Sequence, residues 1–539
     1  MPPPSWPPDP TAVPWWKDPW ALGIALAAAL LLLPNLESSG LLWQDEAETA
    51  VLAKNTLAFG YPKAFDGVNR VNPGLPTGPG DSWTYHPWLQ FYVTAAAFQL
   101  FGATTASARL PFALLGIACL VVAYRLALQT FRHPGIARLA GLMTLLSVPL
   151  LLHVRQCRYY ALGILGLLWV LWAYRQIRDG RRHGWGWFAA GLMILFHSHH
   201  GAWFPTVAAL GVDFWRRGLP ATERRPALLT AGVVAALTLP WCLLANPFDP
   251  SRHHAAFSLA EAGRHAQFYA RQINRFILPL QFLLVVWLFR GLHPRRWWRA
   301  ADARQREGAG TLMVMITVHL LFLVFVPEQR HFRYLIQLAP LLLLGQAALL
   351  WGWLGRRQPL LALVSALLIA TDLLHYSAPY AIAQAVPAGR AIIARDHGLV
   401  VPQSLLADYG YELTHRYQGP LDGLIGTLRR EGRPGDLVKT PYDDHAVIFY
   451  TGLTVEDPNR FAEPTRPTWI IPRREWVPGG FFASTNFQAV QREYVRIETA
   501  APDLAWENRP DPGYHKFRTV RDAPKIVLYR RPRAGETRP

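Results

Sequence analysis

Cysteine is scarce, with 3 in 539 residues, too few for a disulfide framework. Charge is scarce as well. Asp, Glu, Lys and Arg make up 17% of the chain, whereas soluble chains carry about 25%. Acidic residues are the minority, 36 against 54 basic, which leaves a net charge of +18. Several catalytic signatures are missing. There is no Gly-Lys-Ser/Thr phosphate loop, no His-Glu-x-x-His and no Gly-x-Ser-x-Gly. No internal repeat stands out. Apolar side chains are abundant, at 51% of residues, which excludes disorder as a general state. Yet the mean hydropathy is only +0.11, low for a chain made of membrane spans alone. These totals leave an ordinary soluble enzyme open, so the order of the residues has to decide.

About 20 apolar residues cross a bilayer. About eleven such stretches are expected, at roughly 20–36, 108–129, 137–153, 159–177, 185–199, 201–215, 227–245, 276–291, 310–327, 334–354 and 358–376. The stretches at 185–199 and 201–215 are short and carry polar residues. A re-entrant pair there would leave the parity unchanged. The first stretch has a weak basic flank and no clear cleavage site, so it reads as a retained span and not a signal peptide. Met1–Pro19 is Pro-rich and reads as an extended cytoplasmic tail.

Basic residues set the orientation. With the N-terminus in the cytoplasm, loops 130–136, 178–184, 216–226, 292–309 and 355–357 are cytoplasmic. With their flanks and the tail they carry +13, the outer membrane-half loops +2, and residues 377–539 +3. The positive balance is therefore a topology signal. It gives no support for a nucleic-acid partner, which would need a basic face with interleaved aromatics on one domain.

Two outer segments exceed connector length. Within 37–107, Trp83–Gly102 has helical apolar spacing and suits a helix on the membrane surface, and Gly67–Gly80 reads as a flexible loop. Residues 377–539 are domain-sized. Short β-like runs occur at Leu437–Thr440, Ala446–Tyr450, Thr468–Pro472, Glu493–Glu498 and Lys525–Arg530, and Gly419–Glu431 reads as a helix. The fold class expected is an all-α polytopic membrane protein of about eleven spans with a small C-terminal α/β extracytoplasmic domain. Its parts are the tail 1–19, the membrane domain 20–376 and the outer domain 377–539. A third outer loop, Asn246–Arg275, carries Arg252, His253, His254, Arg264, His265, Arg271 and Arg275.

Candidate chemistry gathers at the outer ends of spans. Asp45 and Glu46 follow the first span. Partial desolvation at a membrane cavity raises a carboxylate toward base-competent values, although an acidic N-cap fits the same residues. Arg155 and Arg158, with Tyr159 and Tyr160, lie against the positive-inside bias, and three-residue spacing puts them on one face of a helix. Such a group suits a phosphate, with snorkelling to headgroups as the plainer reading. His197, His199 and His200 suit a polar cavity lining better than metal ligation. Arg330 and Arg333, with Tyr334, repeat the Arg-x-x-Arg-aromatic pattern.

These clusters together resemble the GT-C superfamily of membrane glycosyltransferases, specifically the bacterial relatives of protein O-mannosyltransferase and lipid A aminoarabinose transferase. The resemblance covers most of residues 20–376. It rests on Asp45-Glu46 after the first span, His86-Pro87-Trp88, Phe101-Gly102, Ala108-Arg109-Leu110-Pro111, Arg155-Gln156-Cys157-Arg158-Tyr159-Tyr160, His199-His200-Gly201, and Arg333-Tyr334 with Pro340. Trp88 departs from the usual second proline. The resemblance implies an inverting transfer at the outer face of the plasma membrane, from a sugar joined to polyprenyl phosphate onto an acceptor hydroxyl of a glycan, lipid or protein. It implies Asp45 as general base, with Glu46 orienting a loop or a cation. Arg155, Arg158, Tyr159, Arg330 and Arg333 would face the donor phosphate, and His86, His197, His199, His200 and Tyr160 would line the cavity. Members differ in their need for a divalent cation, so no metal is assigned. A polytopic transporter of envelope glycans or lipids is the alternative, and it would favour inverted repeats and broken helices at the midplane.

Overall fold

The computed structural model describes residues 13–181, 183–246, 258–288, 301–326, 330–385, 402–457, 466–473, 487–504 and 508–536. Most of the expected tail, Arg252, His253, His254, the loop around 292–300 and Glu328 lie outside the described residues. The chain divides into two compact units. One comprises Met1–Leu33, Ala113–Arg155 and Tyr159–Gly410, and the other Pro34–Phe112, Gln156–Arg158 and Tyr411–Pro539.

The first unit is helical. Its first helix, Pro19–Leu32, starts where Asp18 accepts from the backbone N–H of Trp20 at 3.0 Å and of Ala21 at 3.4 Å. Pro19 at the first position fixes φ and has no N–H to leave unpaired. Five helices are long and apolar enough to cross a membrane: Thr105–Phe131, Tyr160–Arg178, Ala221–Ala245, Ala303–Phe325 and Phe332–Leu354. Two further candidates are broken, Pro134–Leu145 with Val148–Val154 bent by 63°, and Gln358–Ala370 with Leu373–Ala383 bent by 85°. Pro149 at the start of one segment and a π-helical turn at Leu373–Ser377 mark these breaks, as interruptions of the helical ladder do. Pro19–Leu32 and Gly184–Phe196 are apolar but short, at 14 and 13 residues, or about 20 Å at 1.5 Å per residue. Length and composition thus give five to seven crossings among the described residues. The chain is a multi-pass membrane protein.

Small residues set how closely these helices pack. A Cβ on Gly166 would meet the Leu195 backbone at 3.0 Å, and one on Gly191 would meet Val170 Cγ2 at 3.0 Å. Tyr160–Arg178 and Gly184–Phe196 therefore approach through glycines, the usual device where lipid and side chain are equally apolar. At the end of the unit that carries Arg216 and Arg217, Asp213 accepts from Tyr174 Oη at 2.8 Å, Thr311 Oγ1 at 3.1 Å and Arg217 Nε at 2.9 Å. One carboxylate thereby joins three helices.

The second unit combines Pro34–Phe112 and Gln156–Arg158 with the residues from Tyr411 onward. Asn35 Nδ2 donates to the carbonyls of Glu412 at 2.6 Å and His415 at 2.9 Å. Asn69 donates to Leu453 O at 3.0 Å and accepts from Val455 N at 2.8 Å. The stretch expected to be a flexible loop is ordered by a Phe65–Arg70 bridge and by a two-stranded ribbon, β1 (Thr77–Gly78) and β2 (Ser82–Trp83). The surface helix begins later than its pattern implied, at Leu89, and ends at Phe101.

A five-stranded sheet forms from β3 (Leu437–Lys439), β4 (Thr454–Val455), β5 (Trp469–Ile470), β6 (Val495–Pro502) and β7 (Lys525–Arg530), in the order β4-β3-β5-β7-β6. β3 runs parallel to β4 and β5, while β7 pairs antiparallel with β5 and β6. Helix Pro420–Glu431 lies on β6 so closely that a Cβ on Gly423 would sit 2.5 Å from Ala501 Cβ. One strand expectation is corrected. Ala446–Tyr450 is not a strand but part of helix Asp444–Thr451, closed by Gly452 at φ 68°. A short apolar run has no period that separates strand from buried helix. The left-handed glycine after it was the better signal.

Arg473 is fully buried in this sheet domain. It pairs with Asp443 and, through Nε at 3.0 Å, with Asp503, and it donates to Leu504 O at 2.6 Å. Removing one partner of a buried pair leaves uncompensated charge and costs about 3–5 kcal/mol. Arg473→Met should therefore lower the thermal midpoint of the purified protein by several degrees. An unchanged midpoint would refute this role for the arginine.

Candidate active site

The helix Gln44–Phe59 follows the first membrane helix in sequence and carries three carboxylates in its first two turns, Asp45, Glu46 and Glu48. Its N-cap, Trp43, has no side-chain oxygen to offer the first backbone N–H groups. Neighbouring segments hold the helix start instead. Trp43 Nε1 donates to Gln156 Oε1 at 2.6 Å, and the Cys157 backbone N–H donates to Glu46 Oε1 at 2.9 Å.

Glu46 is fully buried and takes a bidentate pair from Arg109, Nε to Oε1 at 2.9 Å and Nη2 to Oε2 at 2.6 Å. The same guanidinium donates to Leu36 O at 3.0 Å, Ser39 Oγ at 3.1 Å and Gly40 O at 2.9 Å. Arg109 therefore fixes both the loop before the helix and the helix itself. Planar, multiply satisfied pairing of this kind suits arginine and not lysine.

Glu48 lies close behind on the same helix, also buried. Its Oε1 accepts from Arg158 Nη1 at 2.6 Å and lies 3.2 Å from His86 Nδ1, while Oε2 accepts from Asn72 Nδ2 at 2.6 Å. Arg158 also reaches Thr49 Oγ1 at 3.1 Å, the Asp45 carbonyl at 3.0 Å and His86 Nε2 at 3.2 Å. An arginine only donates, so His86 Nε2 accepts and the ring proton sits on Nδ1, facing Glu48. Burial pushes Glu48 upward, but Arg158 and then His86 outweigh it and hold the carboxyl well below the usual carboxylate range. Burial, reinforced by Arg158 and opposed by Glu48, holds His86 below its ordinary value. The pair is thus an ionised Glu48 beside a neutral His86 at neutral pH.

Asp45 differs from both glutamates. It is only half-buried at the open end of the helix, and its charge is felt by His86. The N-terminal end of the helix dipole favours an anion there.

The structure thus brings together four residues singled out from sequence, Asp45, Glu46, His86 and Arg158. Glu46, expected to orient a loop or a cation, has both oxygens on Arg109, which also holds the loop before the helix. One expectation changes. Arg158 was expected to share a helical face with Arg155. The helix instead ends at Val154 and the next begins at Tyr160. Arg158 belongs to the second unit and Arg155 to the first, and Arg158 is spent on Glu48, Thr49 and His86.

In the first unit, Arg155 is buried, with Nη1 3.4 Å from Tyr409 Oη and its guanidinium 5.8 Å from that ring. Tyr159 stacks on His199 with centroids 4.6 Å apart and meets Tyr160 at 4.8 Å. His197 and His200 do not share a helical turn, because the helix breaks between Phe196 and His200. Both pack on Phe196, and His200 also packs on Trp241 at 4.3 Å. Arg330 Nε lies 3.9 Å from Glu261, and Arg333 lies over the Tyr334 ring at 5.6 Å. Among the described residues, no group of three or more His, Cys, Asp or Glu is arranged to hold a metal ion.

Residues 85–247 match the family described as dolichyl-phosphate-mannose-protein mannosyltransferase. The solved structure of ArnT from Cupriavidus metallidurans bound to undecaprenyl phosphate is similar in fold. Its TM-score is 0.57 at 15% identity, covering 95% of this chain and 98% of that one. The chain therefore shares the fold of that membrane enzyme, and part of it matches the mannosyltransferase family. ArnT in the apo state aligns similarly with this chain, with a TM-score of 0.55 at 14% identity over 94% and 97% of the two chains. The archaeal oligosaccharyltransferase AglB from Archaeoglobus fulgidus, in complex with an inhibitory peptide and a dolichol-phosphate, gives 0.48 at 12% identity over 92% and 75%. No curated protein matches.

Glu48 and Arg109 were not legible as site residues from the sequence. Glu48 is three residues after Asp45 and so on its helical face, and Arg109 is a lone cation opening an apolar helix, an expensive position that needs an anionic partner.

The buried Glu48–His86 pair has a pH signature. Glu48, depressed in the fold, stabilises above its unfolded value of about 4.3 and loses that contribution as pH falls through the lowered value. His86 is also depressed, so the unfolded chain takes up its proton first. Stability therefore falls as pH drops below about 6.5. His86→Gln should flatten the upper part of the thermal-midpoint-versus-pH curve. Parallel wild-type and variant curves between about pH 7.5 and 5 would contradict the assignment.

Proposed function

We propose that this protein is a glycosyltransferase that transfers a sugar from a polyprenyl-phosphate donor to an acceptor hydroxyl at the outer face of the plasma membrane. Asp45 is the general base. It takes the proton of the acceptor hydroxyl as that oxygen attacks the anomeric carbon, and the bond to the donor phosphate breaks with its electron pair leaving on polyprenyl phosphate. The configuration at the anomeric carbon inverts. One observation carries this reading. Asp45 is half-exposed at the start of the helix, and its charge is felt by the neighbouring His86. A base needs that access.

A lipid-phosphate donor is supported by the fold shared with ArnT, which was solved with undecaprenyl phosphate bound. No nucleotide site is then needed on a side of the membrane that lacks nucleotide sugars. The leaving phosphate needs fixed positive charge, and on the family resemblance this falls to Arg155, Arg330 and Arg333 with Tyr159. The distribution of basic residues supports a cytoplasmic N-terminus, about eleven spans including the short apolar helices, and an extracytoplasmic segment 377–539.

Asp45→Asn keeps size and polarity but cannot accept the proton. It should lower transfer from an undecaprenyl-phosphate sugar to envelope acceptors by at least about 100-fold, with membrane insertion and thermal midpoint unchanged. Wild-type transfer by a stable Asp45→Asn protein would overturn the proposal. Mass spectrometry of envelope glycans and lipids, with and without the protein, identifies the sugar and the acceptor.

A further inference from the structure

The helix that carries Asp45 starts at a tryptophan cap, and the sequence around it supplies no capping oxygen of its own. Two residues of helix Asp444–Thr451 instead hold the chain on either side of the cap. Tyr450 Oη accepts from the Leu42 backbone N–H at 2.9 Å, just before the cap. Asp444 Oδ1 accepts from Gln44 Nε2 at 2.5 Å, just after it. The two contacts bracket Trp43 and end one residue short of Asp45.

The bracket is itself held from several sides. Tyr450 Oη is 2.7 Å from Thr105 Oγ1. Phe449 stacks on Phe98 at 5.9 Å and lies 5.4 Å from Lys54 Nζ. Behind Asp444, the His445 ring is almost fully buried, with Nε2 3.5 Å from Asp444 Oδ2. At the head of the helix, Asp443 adopts φ 68°, a conformation that costs a non-glycine residue. It is kept there by the buried Arg473. A strained residue persists only where its surroundings over-determine it. Those surroundings run from the five-stranded sheet to the start of the Asp45 helix.

We propose that Asp444 and Tyr450 are positioning residues for Asp45, so that the C-terminal sheet domain takes part in catalysis by fixing the direction of the base. The inference rests on the reading of Asp45 as that base. Both residues act through Asp45 and not on the reacting atoms. Loss of either would let the first turn of the helix shift or fray, and small displacements of a catalytic group cost much in rate.

The test uses the full-length protein in detergent or nanodiscs with an undecaprenyl-phosphate sugar as donor. Asp444→Ala and Tyr450→Phe should each lower kcat by about 10- to 100-fold, with the donor KM and thermal midpoint close to wild type. Asp444→Asn keeps an oxygen that accepts from Gln44, so it should recover most of the loss. In parallel, amide hydrogen exchange over residues 42–50 should speed up by about tenfold in Asp444→Ala and not in Asp444→Asn. This second readout needs no turnover. If wild-type protein does not use the donor but exchange responds as stated, the functional reading fails and the bracket stands. If Asp444→Ala keeps wild-type kcat and exchange, or Asp444→Asn behaves as Asp444→Ala, the bracket is refuted.

Discussion

The buried pair between Glu46 and Arg109 is the constraint on which the rest of the site depends. Two opposite charges are taken out of water, which is costly unless every donor and acceptor is met. In this pair they are met. The guanidinium forks onto the carboxylate and spends its other N–H groups on Leu36, Ser39 and Gly40. The carboxylate also takes the Cys157 N–H. The chain before the Asp45 helix, the helix itself and the 156–158 segment are thus tied at one point. A hydrophobic replacement could match the stability of such a pair, but it would not fix the register of three segments together.

With that register set, three consecutive residues meet the helix start in order: Gln156 on Trp43, Cys157 on Glu46, Arg158 on Glu48. The environments of the carboxylates then diverge. Glu46 and Glu48 are buried and matched with arginines, so their carboxylates are held in place. Asp45 keeps partial exposure and a neutral histidine near it. Similar side chains acquire different chemistry through burial and partners alone, and separation of environments of this kind is how acid–base roles are divided.

Much of this was legible in the sequence where the signal is local or strongly periodic. Apolar runs announce membrane helices, because that follows from transfer energies of single residues. The Asp45-Glu46 pair could be picked out because it closely follows the first apolar stretch, and His86 through the family resemblance. Pairings between distant segments were less legible. Nothing near Arg109 in sequence says that its partner is Glu46, and nothing near Glu48 points to Arg158. Helical spacing misled at Arg155 and Arg158 because the helix breaks between them. The apolar run 446–450 misled because burial on all sides erases the period that tells strand from helix.

The proposed role of Asp45 as a base, and not as a nucleophile, commits the reaction to a single displacement at the anomeric carbon. The most direct measurement is the anomeric configuration of the product. It is read by NMR after transfer from an undecaprenyl-phosphate sugar of known anomeric form by the purified full-length protein. A base at Asp45 predicts inversion. Retention would mean a covalent glycosyl intermediate or a different catalytic group, and would contradict Asp45 as the general base.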